Sequence, residues 1–171
     1  MSQSHQPQQI ARANGIDICY EIFGEPTAEP LLLIMGLGAQ MIHWDDDFCR
    51  QLAARGFRVI RFDNRDIGKS SHLSGGKRLT AMELIKLRFL KIPVAAPYRL
   101  RDMAEDTVGL MDVLGIKSAH LVGASMGGMI AQEIAISCAI MPPMDAPTRC
   151  ADLMPSTSIS PVVSSAMSRS R

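Results

Sequence analysis

The stretch from Ala119 to Gly128, AHLVGASMGG, constrains this chain more than any other. An apolar run from Ala119 to Val122 stops at Gly123. A helical pattern then begins, with Met126, Met129, Ile130 and Ile134 on one face and Gln132 and Glu133 off it. The expected local structure is strand, sharp turn, helix, with Ser125 at the tip. G-x-S-x-G in that setting is the signature of a serine presented on a nucleophile elbow. Gly123 and Gly127 remove side chains that would crowd so tight a bend. A serine ahead of a helix often serves only as an N-cap. The strand before it, the helix after it and the extra Gly128 favour the nucleophile reading.

The bulk properties exclude several classes. The 171 residues carry a net charge of +1 with 20% charged residues, so no electrostatic footprint for nucleic acid is expected. No apolar run is long enough for a membrane span. Met1 to Gln9 lacks the basic start and apolar stretch of a signal peptide, and a cytoplasmic location is the expectation. Cys19, Cys49, Cys138 and Cys150 are scattered without metal-ligand spacing, so they predict no metal site. No cofactor is expected either. The four cysteines read as small buried hydrophobes, and the twelve methionines as core fillers.

Along the chain, residues 1–9 read as disordered. Asn14-Gly15 predicts a hairpin between runs at 9–13 and 16–22. Leu31 to Met35 is apolar at every position, as in a strand covered on both faces. Trp44, Phe48 and Leu52 recur at helical spacing, with Asp45, Asp46 and Asp47 in the first turn and Gly56 as the stop. Residues 57–62 read as a strand, 63–70 as a polar loop and 79–92 as a short helix. From Arg101 to Leu114, the residues Met103, Thr107, Leu110, Met111 and Leu114 share a face. Alternating strands and helices with short loops predict an α/β fold, a mostly parallel sheet flanked by helices. Residues 138–171, rich in Ser and Pro, read as an irregular tail of low order.

Three ordered motifs carry a resemblance. They are Leu33-Ile34-Met35-Gly36-Leu37-Gly38, Asp63-Asn64-Arg65-Asp66-Ile67-Gly68-Lys69-Ser70, and Gly123 to Gly127. Together they resemble the oxyanion loop, the D-x-R-G-x-G-x-S loop and the elbow of the α/β-hydrolase family. Met35 stands where most members carry histidine, and Asp66 where glycine is usual. The combination is most similar to the branch of small-ester hydrolases that includes aclacinomycin methylesterase. The similarity covers residues 10–137, a partial α/β-hydrolase domain corresponding to the N-terminal half of a typical member.

The resemblance implies a serine hydrolase that cleaves a carboxylic ester through an acyl-enzyme. It makes Ser125 the nucleophile and the backbone N–H groups of Leu37 and Met126 the oxyanion donors. Asp63 and Arg65 are expected to brace their loop, and His120 to pack at a strand start. The family order is Ser, Asp or Glu, then His, whereas His5, His43, His72 and His120 all precede Ser125. The expectation is therefore a truncated copy, weak or inactive as it stands. Its tail reads as the product of a frame shift or truncation. Two alternatives accompany this reading: a non-catalytic fragment or binding protein, and a cofactor-free perhydrolase of the same fold. The expected partner is a small-molecule ester, with no nucleic acid and no membrane. The elbow strand is expected near a sheet edge, open to self-association.

Overall fold

The structure is a computed structural model that describes residues 5–73 and 98–140, with only the backbone of 138–140. The helix expected at 79–92 lies outside the described residues, as do residues 141–171 of the tail expected from 138. The first three residues of that tail, 138–140, are corrected, because they continue the last helix, which ends at Ile140.

The elements run β1 (His5–Ala13), β2 (Ile16–Phe23), β3 (Glu29–Ile34), a 3₁₀ turn (Met41–His43), α1 (Asp46–Ala53), β4 (Phe57–Phe62), α2 (Leu100–Val113), β5 (His120–Gly123) and α3 (Met126–Ile140). The five strands form one sheet in the order β1-β2-β4-β3-β5. β3 pairs in parallel with β4 and β5, while β2 pairs antiparallel with β1 and β4. Four strands thus point one way and β2 alone runs against them. This is the mostly parallel, helix-flanked sheet of the α/β class. β5 lies at one edge among the described residues and β1 at the other.

Turn chemistry sets the hairpin. Asn14 (φ 46°) and Gly15 (φ 77°) both adopt left-handed backbone, as a type I′ turn requires. The disorder expected over residues 1–9 is corrected for residues 5–9, since the strand already begins at His5; residues 1–4 lie outside the described residues. The His5 ring stacks on Phe23 at 4.3 Å, and the Tyr20 hydroxyl donates to Gln9 Oε1 at 2.8 Å. Pro7 is accommodated because β1 is an edge strand and its pairing slips register between Gln6 and Gln9.

The apolar run of β3 is covered on both faces. Leu32 and Ile34 join Ile18, Ile60, Phe62, Leu110, Met111, Ile130 and Ile134 in one core, beneath α2 and α3. Leu31, Leu33 and Met35 join Phe23, Trp44, Cys49 and Val59 in the other, beneath α1. Each such fully buried side chain contributes about 1.5–3 kcal/mol of transfer free energy. Met35, Met41, Met103 and Met111 are buried, as core-filling methionines should be.

Two helices differ from the sequence expectation. α1 starts one residue later than expected, at Asp46. Asp45 is its N-cap, accepting the Asp47 N–H at 2.8 Å, and Trp44 precedes the helix. In α3, Ile130 and Ile134 are buried but Met129 is half-exposed. The helix is apolar nearly all round, so composition alone leaves its inward face under-determined.

Candidate functional site

Parallel strands place their C-terminal ends on one edge of the sheet, where α/β folds build sites. Here that edge carries the segments after β3, β4 and β5. After β5 the chain turns through Ala124 and Ser125 into α3. Ser125 is exposed and has φ 54°, left-handed backbone for a residue with a side chain. Such a conformation costs on the order of 1–3 kcal/mol and persists only where its surroundings over-determine it.

The surroundings do so by close approach. A Cβ on Gly123 would overlap the backbone of Gly127 and Gly128. One on Gly127 would overlap the Ile34 carbonyl and lie 3.0 Å from the Met35 oxygen. The two glycines let strand, bend and helix pack backbone to backbone against the end of β3. The Ala124 N–H donates to Ile34 O at 3.0 Å, which ties the bend to β3. The amides of Gly127 and Gly128 close onto the carbonyls of Ala124 and Ser125, each at 2.9 Å. Met126 opens α3, and an amide there has no partner within the helix.

The segment after β3 abuts this bend. A Cβ on Gly36 would lie 3.1 Å from Ser125 Cβ and 3.6 Å from Met126 N. Leu37 follows, 77% exposed, and then Gly38 with φ 72°. Ser125, Met126, Leu37, Gly123 and Gly127 therefore come together at one sheet end.

The loop after β4 braces the arrangement. Asp63, Asn64 and Arg65 are all buried. Asp63 Oδ1 accepts the Met41 N–H at 2.7 Å, and Ser70 Oγ donates to Asp63 O at 2.7 Å. Asn64 Nδ2 donates to Met35 O at 2.9 Å. Arg65 pairs with Asp106 of α2 at 2.6 Å and donates to Asp102 O at 3.1 Å, while its guanidinium lies 5.1 Å from the Tyr98 ring centroid. The hydrogen bonds that Arg65 donates to the Asp106 carboxylate hold the guanidinium pKa above its ordinary value, against the opposing effect of burial. Burial, then the bond to Asp66, pushes the Tyr98 phenol up to about 12. Asp66, where glycine is usual in the resembled motif, has φ 64°, and its Oδ1 accepts the Leu73 N–H at 2.6 Å.

Sequence reasoning missed the buried partner Asp106 and the reach of Asn64. Asp106 had a legible signal, a carboxylate between Met103 and Leu110 on the apolar side of a helix. Asn64 had none, because its partner lies 29 residues away.

The four histidines lie elsewhere. His120 Nε2 contacts Glu29 Oε1 at 2.8 Å and its ring meets Phe57 edge-on. His72 Nε2 contacts Gly68 O at 3.1 Å, and His5 faces Glu21. His43 closes the 3₁₀ turn and is exposed. No hydrogen bond among the described residues joins any of them to the Ser125 hydroxyl. No group of three His, Cys, Asp or Glu side chains among the described residues is placed to hold a metal ion. No described helix is long and apolar enough to cross a membrane.

Comparison with known proteins agrees with this fold. Residues 29–149 match the family model described as alpha/beta hydrolase fold. The chain belongs to the α/β-hydrolase family. This α/β-hydrolase chain is 31% identical over 130 residues to rhodomycin D methylesterase DauP of a Streptomyces species, covering 76% of this chain and 38% of that protein. It is 30% identical over 121 residues to BpoC of Mycobacterium tuberculosis, a protein assigned as a non-heme bromoperoxidase, covering 71% of this chain and 37% of that one. Among solved structures, the enol-lactonase of Burkholderia xenovorans superposes with a TM-score of 0.58 at 28% identity, over 77% of this chain and 42% of that one. The chain thus spans about two-fifths of the length of these relatives.

Proposed function

We propose that this α/β-hydrolase chain carries the nucleophile and oxyanion half of a carboxylic ester hydrolase. The observation that carries the proposal is the exposed Ser125 at φ 54°, bent out of a strand-to-helix turn beside Gly36. In this reading the Ser125 hydroxyl attacks the ester carbonyl carbon. The oxygen gains charge facing the Met126 and Leu37 amides, the alcohol departs, and water then releases the acid. An oxyanion donor of this kind is worth about 10²–10³ in rate. The methylesterase and the enol-lactonase, both named for ester chemistry, support the substrate class. The relative assigned as a bromoperoxidase favours a second reading, perhydrolysis at the same serine.

A serine hydroxyl needs a base to accept its proton, and no described residue offers one to Ser125. The 171-residue chain is therefore expected to acylate slowly. The test is a fluorophosphonate probe with peptide mapping. An adduct at Ser125, formed faster than in urea-denatured chain and absent from Ser125→Ala, is the expected result. Slow turnover of p-nitrophenyl acetate should accompany it and vanish in the same variant. Labelling no faster than in denatured chain would leave a non-catalytic fragment or binding protein. Peroxide-dependent bromination lost in Ser125→Ala would favour the second reading.

A further inference from the structure

We propose that Asn64 is a positioning residue for the Leu37 amide. This rests on the reading of Ser125 as a nucleophile. The segment Gly36-Leu37-Gly38 has little of its own to hold it. Two of its three residues lack side chains, Leu37 extends into solvent, and the turn is closed by a long Ala39 N–H to Gly36 O bond at 3.3 Å. An oxyanion donor must nonetheless be placed to a fraction of an ångström, and a 1 Å error can cost about 10²-fold.

The fixing points lie at the two ends of the segment, and neighbouring residues of the β4 loop supply both. Asn64 Nδ2 reaches the Met35 carbonyl at 2.9 Å, and Asp63 Oδ1 takes the Met41 N–H at 2.7 Å. The Met35 carbonyl belongs to the peptide plane that also contains the Gly36 nitrogen, and a planar peptide transmits that orientation directly. Gly36 in turn abuts Ala124 and Ser125. Asn64 is 3% exposed, so its bond is shielded from competing water. The amide nitrogen of Asn64 is thus the group that orients the β3 end of the loop, and Leu37 follows two residues later.

The test uses the full 171-residue chain and the fluorophosphonate probe. Asn64→Asp is nearly isosteric but turns the donor into an acceptor facing a carbonyl oxygen. Asn64→Leu removes the donor without adding charge, and carries the test if the buried carboxylate unfolds the chain. The maximal labelling rate at Ser125 is expected to fall tenfold or more, with the half-saturating probe concentration within twofold of the parent. Deuterium exchange of the peptide containing Leu37 should accelerate. Thr107→Val, which removes the buried bond from the Thr107 hydroxyl to Met103 O, serves as a control for general loss of stability that keeps the parent rate per folded molecule. Parent-like labelling in both Asn64 variants, or an equal loss in the Thr107 control, would overturn the assignment. A parent chain that forms no Ser125 adduct would instead overturn the nucleophile reading. In that case unchanged exchange at Leu37 in the Asn64 variants would remove the positioning role as well.

Discussion

Gly127 and Gly38 are indispensable to different degrees, and the contrast is measurable. At Gly127 an added methyl would overlap the Ile34 carbonyl and approach the Met35 oxygen at 3.0 Å; both are backbone and cannot turn aside. Gly127→Ala is expected to cost about 3 kcal/mol or more in urea unfolding. At Gly38 nothing stands within 4 Å of an added Cβ, and only the left-handed backbone, φ +72°, opposes it. Gly38→Ala should cost only about 1 kcal/mol. Equal costs would contradict the packing described here. The elbow glycines are legible in sequence because a strand, a bend and a helix meet within a few residues. The reach of Asn64 to Met35 is not, because only folding brings the β3 and β4 ends together.

At the scale of elements, a buried charge cluster joins α1 to the sheet. Arg61 of β4 is 3% exposed. Its Nε donates to Glu21 of β2 at 2.8 Å, one Nη reaches Asp46 at 2.6 Å, and the other donates to the Trp44 carbonyl. Burial works against the guanidinium charge, but hydrogen bonds to Glu21 and Asp46 outweigh it and hold the pKa above its ordinary value. The cluster fixes the start of α1 just beyond the Met35–Met41 loop. Breaking one partner strands the other, so Arg61→Met is expected to cost about 3–5 kcal/mol. Adding Glu21→Leu should recover part of that loss. A double-mutant cycle in chemical denaturation is expected to give a coupling of roughly 0.5–3 kcal/mol, and strict additivity would show that the pair is not energetically joined. The boundaries of β4 and the Asn14-Gly15 hairpin follow from local pattern. The cluster does not, since Arg61 reads as one polar residue in a strand until Glu21 lies beside it.

For the whole molecule, pH offers a readout of the core beneath α1. Cys49 is fully buried. Burial pushes its thiol up to about 11, although the nearby Arg61 favours the thiolate. In the unfolded chain the thiol ionises at about 8.5. Between these values the unfolded chain has lost a proton that the folded chain keeps, so stability falls as pH rises. The contribution is complete below about pH 8.5 and is lost towards pH 11, with a slope of at most about 1.4 kcal/mol per pH unit. Urea midpoints measured from pH 7.5 to 10.5 should decline more steeply for the parent chain than for Cys49→Ala. Parallel curves would show that Cys49 does not stay protonated in the fold.

Periodicity and turn chemistry sufficed to read an α/β sheet, most strand limits and the bend at Ser125, because each depends on residues only a few positions apart. Length and polarity misled at His5–Gln9, where pairing with β2 and the stack on Phe23 order a segment with little apolar content of its own. Which face of α3 turns inward, which carboxylate answers Arg65, and what holds the loop before Leu37 were decided by tertiary structure. Each depends on groups far apart in the chain, and removing water around them makes their pairing obligatory.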